Sequence, residues 1–343
     1  MNSLKDLLQR FKPKPMDLVG LDINPTGIAA VRMRKNNEGI SVLAADVLPP
    51  PAPPPAGSAP AERTPLALPA PFRSRYASLA VPADKAVIRL LTFSGRQDTG
   101  LDARIVENMG LDDPNRYRIS YKLLTEGHGR ADTKVLGAAI PEAEAAAAVA
   151  QLATGLPVPF SLEVSALATM TAFLDGPAAL HKGEAIGVLE FSPRTSLLAL
   201  FRDSALVLIR RFDRGTEDVL ERVCETLGVD RRIAGEIMAD GSFDISHTIV
   251  EVMEPLIKQL IITRAYVERR ENCRLRRIYL NGGLASSRNV HSEIKTVLEV
   301  ETEAWNPFGK LKVLPNAVPQ TYAGREWIFS AAVGAGLGTF EET

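Results

Sequence analysis

The feature that most limits how this chain can fold is a repeat. Near its start, "VGLDINPTG" carries an apolar run, Leu18 to Leu21, up to Asp22, turns at Asn24-Pro25 and resumes apolar character at Ile28. Much later, "GVLEFSPRTS" does the same with Glu190, followed by Ser192, Pro193, Arg194 and Thr195. Each reads as a strand that brings a carboxylate to the lip of a small polar turn and continues into a hairpin. A third strand, "RRIYLNGGLA", ends in Gly282-Gly283, where the backbone can approach a ligand closely. Two such hairpins facing each other across a cleft would offer N–H groups to phosphates and carboxylates to magnesium, usually through water. Taken singly, each stretch is equally well an ordinary turn. Order and separation give the three together their specificity.

The remaining numbers narrow the class. The chain has 343 residues, enough for two domains or one composite one. A net charge of −1 gives no broad electrostatic case for nucleic acid. The two cysteines, Cys224 and Cys273, are far apart in sequence and read as reduced thiols of a cytoplasmic protein. The four histidines have no metal-ligand spacing. No run of about twenty apolar residues suggests a membrane span.

Along the chain, residues 1–15 hold a short amphipathic helix with Leu4, Leu7, Leu8 and Phe11 on one face. It is either a weak foothold on an anionic membrane or a tail packed on its own domain or a neighbour. Residues 17–48 read as a three-stranded meander, and 49–71 as an exposed proline-rich loop. Strands are expected near 76–81, 86–93, 119–124, 135–140 and 158–163, with helices at 141–152 and 165–174. The second half gives a strand at 184–192, a hairpin around Asp203-Ser204 and helices at 215–227, 249–270, 289–298 and 324–337. Pro255 is expected in the first turn of the third-from-last helix.

Two acid-tipped hairpins and one strand-to-glycine turn are the parts of the actin-like ATPase fold. The chain resembles PilM, the actin-like cytoplasmic family of type IV pilus assembly, related to FtsA. The likeness rests on "VGLDINPTGIAAVRM", "ASLAVPADKAVIRLLTF", "VPFSLEVSALATMTAFL", "RRFDRGTEDVLERV", "EVMEPLIKQLIITRAYVER" and "IYLNGGLASSRNVHSEIKTVLEVETEAWNPF", in that order. It implies an α/β, actin-like (ribonuclease H-like), two-lobed fold with an inserted small α+β subdomain. The expected parts are lobe 1 at 16–81, the insert at 82–163, a return to lobe 1 at 164–182, lobe 2 at 183–317 and a closing C-terminal helix at 318–343.

The resemblance implies ATP with magnesium as the cofactor. It places Asp22, Asn24, Thr26, Glu190, Ser192, Arg194, Thr195, Gly215, Gly282, Gly283 and Ala285 around the nucleotide, with Asp22 and Glu190 on the metal through water. Several positions depart from the family pattern. Asn24 stands where a glycine is usual, and Pro25 and Pro193 supply no N–H. Ala29 occupies the place of a lysine, and Arg214-Gly215 keeps half of a glycine pair. ATP is therefore expected to bind weakly or not at all, with no catalytic residue and at most weak ATPase activity. Arg194 could restore one cationic contact. The implied role is a scaffold under the inner membrane that binds the N-terminal peptide of a PilN-like protein, contacts pilus motor or platform proteins, self-associates and binds no nucleic acid. The alternatives are an FtsA-like filament former, an actin-fold small-molecule kinase and a GspL-like secretion relative.

Overall fold

β-branched and aliphatic residues dominate the opening meander, and its strands form where that pattern predicts. The computed structural model describes residues 14–24, 27–50, 65–96, 100–127, 131–152, 154–240 and 243–341. The expected N-terminal helix, Thr26, and most of the proline-rich loop lie outside these residues. β1 (Asp17–Asn24), β2 (Gly27–Asn36) and β3 (Gly39–Leu48) pair antiparallel in succession. β4 (Tyr76–Val81) then lies parallel to β1, and β8 (Val158–Val164) parallel to β4. With β14 (Lys312–Val313) on the far edge, the order is β14-β3-β2-β1-β4-β8.

The segment between β4 and β8 builds a separate antiparallel sheet. It contains β5 (Val87–Phe93), β6 (Tyr117–Thr125) and β7 (Thr133–Pro141), in the order β5-β7-β6. Helices α1 (Leu101–Asn108) and α2 (Glu142–Val149) accompany it. Its own core is small and centres on Phe93, Ile105, Met109, Val135 and Ala139. Helix α3 (Ser165–Asp175) then returns the chain to the first sheet.

The second lobe repeats the first. β9 (Ala185–Phe191), β10 (Ser196–Arg202) and β11 (Ala205–Phe212) form a meander, and β12 (Leu275–Gly282) runs parallel to β9. β13 (Glu301–Ala304) completes the sheet beside β12. Helices α4 (Thr216–Leu227), α5 (Arg231–Asp240), α6 (Ser246–Glu271) and α7 (Arg288–Leu298) belong to this lobe. The register makes the internal repeat explicit. Asp22 sits opposite Ala29 and Ala80, and Glu190 opposite Leu197 and Asn281.

The last helix, α8 (Ser330–Glu341), packs between α3 and the first sheet. Small residues allow backbone contact there. A Cβ on Gly334 would lie 1.7 Å from the Ala168 carbonyl oxygen, and one on Gly20 would lie 2.0 Å from that of Ala332. Ala80, Ala168, Ala331 and Ala335 fill the remaining space.

Three expectations need correction. Helices α1 and α5 have no counterpart in the sequence reading. α1 has only eight residues and starts from left-handed Gly100 without a side-chain cap, while α5 opens with two arginines. Pro255 lies well inside α6, because that helix begins at Ser246, where Asp244 accepts the Ser246 N–H at 3.0 Å. Pro255 is exposed, so water can take the carbonyl its missing N–H leaves free. The final helix starts at Ser330 after a 3-10 turn at Glu326–Phe329, later than the expected 324.

Candidate functional site

The carboxyl-terminal ends of β1 and β9 face each other across a cleft of about 740 Å³. That volume is in the range of small-molecule sites. The first hairpin contributes Asp22, Asn24 and Gly27, the second Glu190, Ser192 and Pro193, and the end of β12 Asn281, Gly282 and Gly283. Leu220 of α4 and Met238 of α5 form an apolar wall, and Tyr322, Arg325 and Trp327 close the rim.

Both acids are buried, at 8% exposure for Asp22 and 6% for Glu190. Burial pushes Asp22 up to about 6, against hydrogen bonds from Ser165 and Asn24 that hold it down. Ser165 Oγ donates to one Asp22 oxygen at 2.6 Å, and Asn24 Nδ2 donates to the other at 2.7 Å. Burial pushes Glu190 further, to about 7; Thr169 and Asn281 oppose the rise and the charge of Asp22 adds to it. Near neutral pH the pair therefore carries between one and two negative charges.

Unlike Asp22, Glu190 keeps an unmet need. Its Oε2 is buried without a hydrogen-bond partner among the described residues, as is Asn281 Oδ1. An unpaired buried polar atom costs about 1–3 kcal/mol, so these oxygens mark a place where water or a hard cation would be stabilised. Among the described residues no three His, Cys, Asp or Glu side chains converge. The oxygens present suit hydrated magnesium, which Glu190 and Asp22 would hold through water. Such an ion would offset the paired negative charge at this point.

The backbone donors of the second hairpin and of the start of α4 are engaged within the protein. Thr216 N–H donates to the Ser192 carbonyl at 3.1 Å and Glu217 N–H to the Pro193 carbonyl at 2.8 Å. Ser192 N–H closes on Thr195, and Gly283 N–H on Phe191, at 2.9 and 3.1 Å. Gly215 N–H is taken by the Asp218 carboxylate at 2.7 Å. The start of α4 is thus capped internally, and Glu217 adds an acid where an anion would have to sit.

The expected site residues divide accordingly. Asp22, Asn24, Glu190, Ser192, Gly282 and Gly283 line the cleft. Gly282 has φ +83, and a Cβ there would meet the Phe191 carbonyl at 2.2 Å. Arg194, Thr195, Gly215 and Ala285 do not line it. Arg194 is turned outward onto Glu217, with Nε to Oε2 at 3.1 Å, so the expected replacement phosphate contact is not formed. Thr195 hydrogen-bonds Asp84 at the root of the insert, at 3.4 Å. Gly215 is small because Pro193 packs on it, with 2.3 Å from a would-be Cβ to the carbonyl oxygen. Ala285 is buried and its carbonyl accepts from His291 at 2.8 Å. Glu217, Arg231 and Arg325 were not expected. Arg231 pairs with Glu221 at 3.4 Å and with Glu217 at 3.7 Å, whereas Arg325 is exposed at the rim.

The second hairpin is also tied to the insert. Arg211 on β11 donates to the Asp84 carbonyl at 2.9 Å, the Ala86 carbonyl at 3.1 Å and the Ala83 carbonyl at 3.4 Å. Burial raises the Asp84 carboxyl, and Arg194 opposes that rise.

No protein-family model matches the sequence, and no curated protein matches it. Solved structures do. A PilM–PilN type IV pilus biogenesis complex superposes with a TM-score of 0.75 at 20% identity, over 96% of this chain and 99% of that one. The fold is actin-like, in the form PilM has. Further similarity reaches a protein of unknown function with an actin-like ATPase fold from Bacteroides thetaiotaomicron, at TM-score 0.47 and 9% identity over 95% of this chain and 96% of that one. An MreB of Spiroplasma citri bound to AMPPNP gives 0.44 and 10%, over 95% and 96%. In this actin-like frame the two acid-tipped hairpins belong to equivalent meanders of the two lobes.

Proposed function

We propose that the chain is a PilM-type scaffold of type IV pilus, or related secretion, assembly. It captures the N-terminal segment of a PilN-like membrane protein at the inner face of the membrane and holds nucleotide weakly, without turning it over. The observation that carries this reading is the extent of the fold match. Coverage of 96% leaves no room to omit the segment 82–163, so the inserted subdomain is part of the likeness to the PilM–PilN complex. Among the described residues the insert also has an edge strand, β6, with Tyr121 and Leu123 exposed beside Arg118 and Lys122. An unpaired strand edge suits capture of an extended peptide.

The cleft supports the second half of the proposal. Backbone donors on the second hairpin and at the start of α4 are spent within the protein, and of the two arginines that line the cleft Arg231 is already paired with Glu217 and Glu221. Losing two charge-assisted hydrogen bonds of about 1.5–3 kcal/mol each weakens binding at least a hundredfold. A kinase of this fold would need an open phosphate cradle and a positioned base, and the internally capped α4 argues against that class.

Two titrations test the reading. A labelled peptide from the cytoplasmic N terminus of the organism's PilN-like protein should bind saturably, and Tyr121→Ser/Leu123→Ser should weaken it. Equal affinity in that variant removes β6 from the proposal, and no binding at all removes the scaffold role. ATP with magnesium should bind only near millimolar concentration. Micromolar binding that is lost in Asp22→Ala and Glu190→Ala would instead make the cleft a working nucleotide clasp.

A further inference from the structure

The carboxyl-terminal half of α6 carries an unusual surface. Ile261, Ile262 and Tyr266 are 42%, 57% and 49% exposed, beside exposed Ala265. The helix ends in Arg269 and Arg270, and Arg274 and Arg276 follow within five residues of Glu271. Of the seven basic residues from Lys258 to Arg277, Lys258, Arg264, Arg270 and Arg277 are paired with Glu254, Glu268 and Glu299, Glu271, and Glu303. The positive charge left over is that of three arginines. Arg269, Arg274 and Arg276 are exposed and form no ion pair among the described residues. Arg270 lies against the Tyr266 ring and donates to its hydroxyl at 2.9 Å.

We propose that this end of the second lobe is a direct docking face for an anionic lipid surface. An exposed ridge of aliphatic and aromatic side chains flanked by arginines is the pattern of helices that lie in the membrane interface. The apolar side chains enter the headgroup boundary while the guanidinium groups stay with lipid phosphates. A second copy of the chain fits less well, because a two-fold contact would set these arginines against themselves. A stable protein interface takes about 20–30 residues a side, more than this ridge provides. A reversible lipid contact needs only a few apolar side chains and a basic cluster. The proposal is independent of the peptide partner proposed above.

The test is co-sedimentation of the full chain with vesicles of phosphatidylcholine alone and of phosphatidylcholine mixed with phosphatidylglycerol. Binding to the anionic vesicles only, weakened by high salt, is expected. Each arginine near an anionic surface changes partition about fivefold, so Arg269→Ser/Arg274→Ser/Arg276→Ser should lower it about a hundredfold. The matching triple lysine variant should retain binding, and Ile262→Ser/Tyr266→Ser should lose part of it. Unchanged thermal unfolding shows that these surface variants still fold. A second triple, Lys5→Ser/Arg10→Ser/Lys12→Ser, separates the N-terminal segment. If that variant loses binding and the arginine triple does not, the proposal is overturned. Equal binding to neutral vesicles, or none to anionic ones, also overturns it.

Discussion

The two acid-tipped hairpins have the same topology but differ in how completely their acids are hydrogen-bonded. Asp22 has both oxygens bonded, to Ser165 and Asn24, and its parallel neighbour is Ala80. Glu190 has Asn281 as its parallel neighbour, yet its Oε2 and the Asn281 Oδ1 are both unpartnered. The second hairpin is sealed by α4 and fixed to the root of the insert. A repeated strand pattern thus sets where a carboxylate goes, while the surrounding residues set its charge and its remaining capacity.

The largest test of the difference exchanges one residue. Gly20 and Val188 occupy equivalent positions, two residues before each acid. Only Gly20 has a carbonyl pressed on it, so Gly20→Val should destabilise the fold by about 4 kcal/mol or more, or prevent folding. Denaturant unfolding measures this, and a native-like stability would mean that α8 can shift.

The next test uses pH. Both carboxyls are raised in the folded state, from 3.8 to about 6 and from 4.5 to about 7. The folded chain therefore holds protons that the unfolded chain releases. The stability tied to these groups is complete below their unfolded values and is lost as pH rises through about 6 and 7. Glu190→Gln should accordingly gain about 3 kcal/mol at high pH and little at low pH. Asp22→Asn should gain less, because an amide cannot accept from both Ser165 and Asn24 as the carboxylate does. Equal gains in the two variants would erase the contrast.

Smaller effects follow at the periphery. Arg211→Ala should cost about 1–2 kcal/mol, with amide exchange rising first in the insert strands. Uniform exchange across both lobes would show that the insert is held by other contacts. Asn24→Ala should cost about 1 kcal/mol at neutral pH and raise Asp22 further, which a carboxyl titration by NMR would reveal. An unmoved Asp22 would mean that Ser165 alone sets it.

Much of this arrangement was legible in the chain. Asp22 and Glu190 end apolar runs, and Gly282-Gly283 ends another, so the strand pattern places each at the end of its strand, and the packing of the two sheets brings them to one cleft. The residues that were missed reach the cleft by tertiary folding. Arg231 comes from a short polar helix, Arg325 from the rim segment before α8, and Glu217 from the first turn of a helix that was expected but whose placement against the cleft was not. Arg194 was assigned to the cleft because a hairpin tip does not reveal which way its side chain turns. In the structure Glu217 draws it outward.

The Arg211 contacts have a mechanical consequence. By chain connectivity the insert branches from the first lobe, yet its root, Ala83 to Ala86, is hydrogen-bonded to the second. Three bodies meet at that joint. While the joint holds, the angle between the lobes and the tilt of the insert are not separate variables. A change in the angle between the two sheets must then either carry the insert with it or break the Arg211 hydrogen bonds.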